Sequence, residues 1–586
     1  MRLSVIVPTY NRRALLQQTL STIFKQDLPA SEYEVIVVVD GSTDGTAALL
    51  RELKPPCPLQ ILEQANRGPA AARNAGAQLA QAPLLLFLDD DILCEPYLFR
   101  EHLAAHAGEN RSVIFGPVLV APQSPPSVAT DWTREYTNDY TSRLAREKEP
   151  RFPDDAIVDA NSSLPRSIFL ASGGFDETLY RTRETTELGL RLWKSGIRFR
   201  YRPAAVVHHL FVKTAEELVQ GDAKWYGKNE VLLCRKHPDY RSHSALARLV
   251  EGAGWKRWAR ELTARLPLSP DLYLRPPSWV LERLRWIPQT RRWRTRWLQV
   301  RQAATVFHSA VRQAESWRAL RSQFGVRLPV LLYHHVGPPR AQTLPFLTVS
   351  PRKFARQVRW LKQHGYVGIR PSEWLAWRRE GRPLPDKPVL LTFDDAYADI
   401  AEHALPLLHQ HGFGAAVFVV TGQVGGTNTW DEARSSGSHR LMTAGQIREW
   451  AAKGIDFGAH SRTHRNLVAL AEPDLTEEVR GSTEDLAQLL GTAVVSFAYP
   501  YGDHNEIVRE QVKTVFDLAF TCEEGLNDIR TDPCCLRRTM VQAGDSLLDL
   551  AFRVRLGWSP LERVRARLRL RTRLRHILRI VRAGET

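Results

Sequence analysis

The chain has 586 residues, too many for one ordinary domain, and its 43% hydrophobic and 25% charged residues are typical of globular proteins. This composition excludes a mostly disordered chain and a collagen-like or low-complexity chain, and no apolar run approaches the ~18 residues of a transmembrane helix. Lysine and arginine exceed aspartate and glutamate by 80 to 64, a net charge of +16, so we expect an acidic partner such as membrane lipid, a nucleotide or nucleic acid.

The cysteines and the start of the chain bear on its compartment. The six cysteines contain no CxxC spacing, which favours free thiols in a reducing compartment. The apolar stretch in residues 1–13 is too short for a signal peptide. We therefore expect a cytoplasmic protein.

Uneven charge divides the chain into four predicted parts. Residues 255–321 hold fifteen Lys or Arg, four Asp or Glu and seven of the 16 tryptophans, and residues 563–582 hold nine arginines and no acid. The other blocks alternate strand and helix signals. We predict an α/β domain over residues 1–235, a basic Trp-rich helical connector over 236–325, a second α/β domain over 326–555 and a basic tail over 556–586.

Short apolar runs in the first domain predict a parallel sheet covered by helices on both faces. Two of these runs end in acids, one in Asp40 and the other in Asp89-Asp90-Asp91. Ligands of such sheets lie beyond the carboxyl ends of the strands. Because Asp89 and Asp91 are two apart, we expect them to point the same way and to hold Mg²⁺ or Mn²⁺ with a sugar-nucleotide diphosphate, with Asp40 near the nucleoside. Taken alone, three aspartates could equally be a solvated turn.

Several motifs accompany these aspartates. They are VPTYN at 7–11, VDGSTDGT at 39–46, NRGPAAARNAG at 66–76, FLDDD at 87–91, NSSLPR at 161–166, GGFDE at 173–177 and ETTELGLRL at 184–192. Together they resemble family 2 glycosyltransferases with the GT-A (Rossmann-like) fold, over residues 1–210. The resemblance implies an inverting transferase that uses a nucleotide sugar, first of all a UDP-sugar. Asp89 and Asp91 match its metal- and diphosphate-binding pair, and His208 resembles a late histidine that some members place near the metal.

One position departs from the family pattern. Where the family usually has Glu-Asp, this chain has Glu184-Thr185, and the aspartate is the usual general base. An inverting attack needs a base to deprotonate the acceptor hydroxyl, which threonine cannot do. Glu184 or Glu187 could replace it, although Glu187 could equally be a surface charge on a helix. Either the base has moved or the transferase activity is weakened.

A second set of polar residues follows predicted strands in the second domain. Asp394-Asp395 follow the run 389–393, and His460 and His464 are four apart, a spacing that places both imidazoles on one face of a helical turn. Two histidines and one carboxylate form a catalytic metal site with open positions. The other carboxylate can take a proton from water. Polar groups after successive strands are typical of a β/α-barrel active site.

TFDD at 392–395, HSRTH at 460–464 and FAYPYG at 497–502 resemble polysaccharide deacetylases of carbohydrate esterase family 4, over residues 328–545. The resemblance implies a distorted β/α barrel and a divalent metal, first of all zinc, with cobalt, nickel or manganese as alternatives. It makes Asp394 the base and the backbone N–H of Tyr501 an oxyanion donor. It makes three side chains the metal ligands, namely Asp395, His460 and His464.

Two features of that family are missing. Tyr499 stands where the usual arginine precedes Pro-Tyr, and no histidine between His504 and His576 matches the late catalytic acid. However, LPVLLYHHVG at 328–337 resembles the opening of biofilm poly-N-acetylglucosamine deacetylases, whose acid histidine lies in an early Tyr-His motif. That resemblance assigns the acid to His334, with His335 second. A buried structural histidine is the alternative.

Arginine and tryptophan interleave over residues 283–297. This pattern favours an acidic membrane surface, with rings at the headgroups and arginines on lipid phosphate. Nucleic acid offers similar chemistry, but no nucleic-acid motif is present, so we expect no nucleic-acid partner. A third interpretation is that these helices pack the two domains together.

The sequence thus predicts an α/β protein with an N-terminal GT-A domain and a C-terminal distorted β/α barrel, joined by the basic connector. We expect a bifunctional enzyme, peripheral at the inner face of the cell membrane. It would transfer a sugar, first of all an N-acetylhexosamine, to a glycan or lipid-linked acceptor, and remove an N-acetyl group. The alternatives are a deacetylase whose transferase-like domain only binds nucleotide or glycan, and a non-catalytic membrane scaffold that binds glycan.

Overall fold

The structure is a computed structural model that describes residues 1–109, 111–147, 160–250, 270, 274, 283, 287–338, 346–431 and 438–565. Most of the predicted basic tail, and Arg285 and Trp286 of the Arg/Trp segment, lie outside the described residues. The chain divides into two compact units, Met1–Leu320 and Arg321–Thr586. The finer boundaries at residues 235 and 325 stay predictions.

Ten strands form two sheets in the first unit. In chain order they are β1 (Leu3–Thr9), β2 (Tyr33–Asp40), β3 (Leu59–Gln64), β4 (Leu84–Leu88), β5 (Ile92–Cys94), β6 (Ser112–Phe115), β7 (Val118–Val120), β8 (Asn161–Pro165), β9 (Arg198–Tyr201) and β10 (Val207–His209). The large sheet has the order β3-β2-β1-β4-β8-β6-β9, and the small one has the order β5-β10-β7. Strands β1 to β4 are parallel, and β8 is antiparallel to β4 and β6.

The large sheet is buried on both faces, which is why its strands are continuous apolar runs. Every residue of β1, β2 and β4 is buried. Alternate residues enter different cores: Val5 packs into one cluster and Ile6 into the other. The helices of this unit are Arg13–Ile23, Thr46–Glu52, Pro69–Leu79, Leu98–Ala105, Val128–Glu147, Arg166–Ala171, Glu184–Lys194, Lys224–Lys236, Ala245–Val250 and Arg291–Gln313, and Trp317–Phe324 crosses its boundary. The predicted Rossmann-like α/β class is confirmed.

The long helix Arg291–Gln313 of the predicted connector is part of the first unit. It packs against the helix Lys224–Lys236, where a Cβ at Gly227 would lie 2.2 Å from the carbonyl oxygen of Val306. Only glycine permits this close approach of two helix backbones. Phe307 and Leu298 are buried in the unit.

The second unit is built on a curled parallel sheet. Its strands are β11 (Val330–Tyr333), β12 (His335–Val336), β13 (Thr348–Val349), β14 (Val367–Gly368), β15 (Pro388–Phe393), β16 (Ala416–Val419), β17 (Asp456–Ala459), β18 (Ser496–Ala498), β19 (Leu518–Phe520) and β20 (Thr539–Met540). The order is β19-β18-β17-β16-β15-β11-β20, with β14 on β15 and a separate β12–β13 pair. This is the predicted distorted β/α barrel, and every residue of β11 and β15 is buried.

Helices cover the outside of this sheet. They are Pro351–Gln363, Pro371–Glu380, Leu405–His411, Ala444–Ala452, Glu472–Thr476, Ser482–Leu490, Glu506–Lys513 and Leu547–Leu556. In neither unit does a helix of the described residues combine the length and the apolar character needed to span a membrane.

Candidate active sites

Parallel strands bring the predicted deacetylase residues to one end of the curled sheet. His334 follows β11, Asp394 and Asp395 follow β15, and His460 follows β17. Tyr501 lies three residues beyond the end of β18, in the short 3-10 turn Pro500–Gly502. Because the carboxyl ends of parallel strands share an edge, residues far apart in sequence meet there.

Three side chains form a group that can hold a metal ion. The ligand atoms of Asp395, His460 and His464 lie within 4.8 Å of one another, and all three residues are buried. Asp395 Oδ1 lies 3.6 Å from His460 Nε2 and 3.3 Å from His464 Nε2. His460 Nδ1–H donates to the carbonyl of Ala498 at 2.7 Å, which leaves Nε2 as the ligating nitrogen. Two imidazoles and one carboxylate fit a catalytic divalent metal.

Backbone strain is concentrated at this group. Among the described residues, ten non-glycine residues have positive φ, and five of them are here. They are Asp395, Ala396, Ser461, His464 and Tyr501, with φ between 53° and 69°. Such conformations cost energy and persist where the surrounding structure enforces them, which is typical of functional sites.

An arginine far from the motifs in sequence, Arg538, pairs with the candidate base Asp394. Its Nη1 donates to Asp394 Oδ1 at 2.6 Å and its Nη2 to Asp394 Oδ2 at 2.8 Å, with both residues buried. Burial acts to raise the pKa of Asp394, but the guanidinium of Arg538 outweighs it and lowers the pKa to about 2. Asp394 is therefore ionised, as a base must be.

His334 and His335 occupy different environments. Burial lowers the pKa of His334 to about 4, with Asp394 acting in the opposite direction, so its imidazole is neutral near pH 7. No hydrogen bond to its Nδ1 is present within the described residues. His335 Nδ1 lies 2.8 Å from Asp399 Oδ2, and the ring stacks on Tyr397 at 3.7 Å. These contacts hold the His335 side chain in the core. His334 is therefore the histidine that faces Asp394.

Trp430 also belongs to this site, and its role was not predicted from the sequence. Its ring stacks on His464 with centroids 4.8 Å apart, and the Tyr501 ring meets the same imidazole at 4.7 Å. The two aromatic rings restrict the orientation of His464. The sequence signal, a Trp-Asp pair in a loop, was too short to single out.

In the first unit the acids surround a cleft of about 360 Å³. Its lining includes Asp40, Asp89, Asp90 and Glu184, together with four cations, Arg12, Arg73, Arg181 and Lys213. A cleft with fixed cations and carboxylates can accept a diphosphate with its metal. It lies beyond the carboxyl ends of β1, β2 and β4, where a Rossmann-like sheet binds its ligands.

The expectation that Asp89 and Asp91 point the same way needs correction. Asp89 is partly exposed in the cleft and accepts from Arg73 Nη2 at 2.7 Å. Asp91 is buried and accepts from Arg12 Nη1 at 2.6 Å, and Arg12 also bonds Asp90. The backbone turns between Asp90 and Asp91 instead of staying extended, so the alternation of a strand does not apply.

The histidine beside these aspartates is His209, which corrects the choice of His208. His209 Nε2 lies 3.1 Å from Asp91 Oδ2, whereas His208 Nε2 lies 3.0 Å from Glu95 Oε1. The two are neighbours on β10, and successive side chains of a strand point to opposite faces. His209 therefore replaces His208 as the candidate near the metal.

Asp40 is engaged by the backbone of the cleft. It accepts from the amides of Arg67 at 2.9 Å and Gly68 at 2.8 Å, and from the side chain of Gln64. Asp40 thus holds the loop that opens the helix Pro69–Leu79. A direct contact with the nucleoside stays a prediction.

The two candidate bases of the transferase differ in their contacts. Glu184 is buried at the cleft; burial raises its pKa, with Arg73 at 3.5 Å opposing. For Glu187, burial is outweighed by His237 and Arg191, which lower its pKa. Arg191 donates to both of its oxygens at 2.9 Å. Glu187 therefore forms a structural ion pair with Arg191, and Glu184 is the carboxylate that faces the cleft.

Each unit of the chain contains a region that matches one family of known proteins. Residues 4–169 match the family model "Glycosyl transferase family 2", and residues 381–515 match "Polysaccharide deacetylase". The chain joins a family 2 glycosyltransferase domain to a polysaccharide deacetylase domain.

Individual relatives each cover one domain. A validoxylamine A glucosyltransferase of Streptomyces hygroscopicus subsp. jinggangensis is 36% identical over 33% of this chain and 52% of its own length. A poly-beta-1,6-N-acetyl-D-glucosamine N-deacetylase of Staphylococcus aureus is 26% identical over 27% of this chain and 55% of its own. The chain thus spans about half the length of these relatives. The solved structure of IcaB from Ammonifex degensii is 29% identical, covers 36% of this chain and 91% of that one, and has a TM-score of 0.32.

Proposed function

We propose that this chain is a bifunctional carbohydrate enzyme. The deacetylase domain hydrolyses the N-acetyl group of an N-acetylhexosamine, and the transferase domain moves a sugar from a nucleotide sugar to a glycan or lipid-linked acceptor. The observation that carries the first activity is the ionised Asp394, held by Arg538 beside the group Asp395, His460 and His464. The N-acetylhexosamine substrate rests on the likeness to an N-acetylglucosamine polymer deacetylase.

The deacetylase residues divide the work of amide hydrolysis. Asp395, His460 and His464 would hold a divalent ion, zinc first and cobalt, nickel or manganese as alternatives. When bound, such an ion would polarise the amide carbonyl and acidify water. Asp394 takes a proton from the attacking water, and the backbone N–H of Tyr501 donates to the oxyanion. His334, neutral at rest, relays the proton that Asp394 took up to the leaving nitrogen as the C–N bond breaks, so that acetate and a free amine result.

The transferase residues serve an inverting transfer. Asp89 lines the cleft and would serve a Mg²⁺ or Mn²⁺ ion that arrives with the nucleotide sugar, first of all a UDP-sugar. Asp91 is buried and would join it after release from its ion pair with Arg12. Lys213 and Arg181 balance the charge of the diphosphate. Glu184 takes the proton of the acceptor hydroxyl, the role that the family usually gives to the residue at Thr185. Its raised pKa makes it a stronger base than an ordinary glutamate.

An acidic membrane surface is the proposed location. Trp293 is 73% exposed at the start of the helix Arg291–Gln313, and Arg292 and Arg296 are exposed beside it. An indole flanked by arginines fits a headgroup layer with anionic lipid. All six cysteines are free in the structure, which suits the inner, reducing face of the cell membrane.

Vesicle co-sedimentation tests that location. We expect binding to phosphatidylglycerol vesicles and not to phosphatidylcholine vesicles, and a loss of roughly fivefold for each of Arg292→Gln and Arg296→Gln. Trp193→Ala, which removes an exposed tryptophan from another helix, is the matched control for Trp293→Ala. Equal binding to both kinds of vesicle would contradict the proposal.

Acetate release tests the deacetylase. The protein is stripped of metal, and Zn²⁺, Co²⁺, Ni²⁺ or Mn²⁺ is added back with N-acetylglucosamine oligomers as substrate. We expect metal-dependent release that is lost in Asp394→Asn and His334→Ala. Release that survives both substitutions would contradict the assigned base and acid, and no release with any metal would contradict the activity.

A further inference from the structure

The helix Val128–Glu147 carries three aromatic rings at four-residue spacing, Trp132, Tyr136 and Tyr140. The ring centroids are 5.7 Å apart for the first pair and 6.3 Å for the second, with planes within 15° and 9° of parallel. Residues four apart lie on one face of a helix. The three residues form a row of parallel rings, named here the aromatic row.

The aromatic row is fixed at both ends and exposed in the middle. Trp132 packs against the buried cluster that contains Phe211, and Tyr140 packs against the cluster that contains Phe169. Tyr136 is 59% exposed. Helix packing therefore holds the outer rings in place, and a ligand of the central ring would meet a preformed surface with little ordering cost.

The aromatic row is connected by packing to the helix that carries the candidate base. Tyr140 packs against the cluster that contains Leu188 and Leu192. Both belong to the helix Glu184–Lys194, whose first residue, Glu184, lines the cleft. One end of the row thus packs against the helix that positions the residue at which an acceptor hydroxyl would be deprotonated.

We propose that the aromatic row binds the acceptor of the transferase, an oligosaccharide chain, at sugars away from the one that reacts. The apolar C–H face of a pyranose ring stacks on an aromatic ring, and the spacing of the three rings is close to the length of one hexose in a chain. Exposed polar side chains border the row and can bond sugar hydroxyls, namely Glu135 and Asp139. This inference rests on the proposed transferase function.

Hydroxyl-radical footprinting of the full chain tests the contact without requiring turnover. Tyr136 is modified with and without β-linked hexamers of N-acetylglucosamine and of glucose as probes, and its modification is read by mass spectrometry. We expect either hexamer to protect Tyr136 several-fold, while the exposed Tyr97 of the same unit stays unprotected. No protection of Tyr136 by saturating amounts of both hexamers would overturn the proposal.

Kinetics separate this inference from the proposed function. Tyr136→Phe keeps a ring to stack on, and Tyr136→Leu keeps apolar bulk without one. We expect the KM for a hexamer acceptor to rise roughly 3- to 10-fold in Tyr136→Leu and to stay near wild type in Tyr136→Phe, with the KM for the nucleotide sugar unchanged. An active transferase with the same acceptor KM in both variants overturns the aromatic row alone. Absence of transfer in the wild type overturns the proposed function, and footprinting still decides the contact.

Discussion

Arg538 donates two hydrogen bonds to Asp394, although 144 positions separate them in the sequence. Strand β11 pairs in parallel with both β15 and β20, so Arg538 lies two strands away from Asp394 in the same sheet, and its long side chain reaches across to the carboxylate. Both side chains are buried, and Arg538 Nε also donates to the carbonyl of Thr521 at 2.9 Å, which holds the guanidinium in place. The candidate base is thereby fixed in position and kept ionised.

Substitution of this arginine tests the arrangement. Arg538→Gln leaves Asp394 as an uncompensated buried charge, so we expect the domain to lose about 3–5 kcal/mol of unfolding free energy. The pKa of Asp394 rises, and the acid limb of the acetate-release profile therefore moves to higher pH. Denaturant unfolding and a pH profile measure the two effects. The exposed neighbour Arg537 is the control, and Arg537→Gln should change neither.

The metal content of variants distinguishes the proposed metal ligands from a histidine outside the site. We expect one divalent ion per chain in the deacetylase domain, reduced to near zero in His460→Ala, His464→Ala and Asp395→Asn. His409 is exposed on the helix Leu405–His411, and His409→Ala should keep the ion. Elemental analysis of the purified variants measures this. An ion retained by all three ligand variants would contradict the site.

Substitutions of the two glutamates near Thr185 should have different effects on the transferase kcat. Glu184→Gln removes the base, so we expect the transferase kcat to fall roughly 10²- to 10⁴-fold. Glu187→Gln breaks the ion pair with Arg191, so it should lower stability and leave kcat within a few-fold. A base with a raised pKa must lose its proton at higher pH, so wild-type transfer should decline on the acid side earlier than for an ordinary glutamate. The reverse ranking of the two variants would contradict this assignment.

Acid should destabilise the transferase domain through His102. This imidazole lies between Ser163 at 2.8 Å and Asn161 at 3.0 Å, and burial lowers its pKa from 6.5 to about 4. Between these pH values the unfolded chain binds a proton that the folded domain does not. The unfolding free energy therefore falls as the pH drops from 6.5 to 4, by about 3 kcal/mol at most.

Hydrogen exchange of peptides from β6 and β8 measures this effect locally. His102→Gln removes the titrating group, so exchange in that variant should accelerate less between pH 6.5 and pH 4.5 once intrinsic rates are corrected. The same acceleration in wild type and variant would exclude His102 as the cause.

The sequence was most informative where a motif coincides with the end of a strand. Asp394, Asp395, His460 and His464 could be assigned to one site because the carboxyl ends of parallel strands converge. Arg538 could not, because its partner is fixed by the pairing of β20 with β11, and that pairing has no local signal. A single arginine before a short strand gives no indication of which residue its side chain will bind.

Side-chain direction was the other limit. His208 and His209 are equally suitable as residue types, and only the register of β10 against β5 and β7 decides which one faces Asp91. Likewise, Asp89 and Asp91 would point together in a strand, but the chain turns after β4. A one-residue change of phase moves a side chain to the opposite face. Motifs therefore predicted which residues lie together at the ends of the strands but did not give the direction of every side chain.

The most direct test measures both activities on one preparation. Sugar transfer from nucleotide sugars and acetate release from N-acetylglucosamine oligomers are assayed, with metal supplied, in wild type, Glu184→Gln and Asp394→Asn. A bifunctional enzyme predicts that the wild type performs both reactions, that Glu184→Gln loses only transfer, and that Asp394→Asn loses only acetate release. A wild type that performs only one reaction, or a single variant that loses both while folded, would contradict two independent active sites.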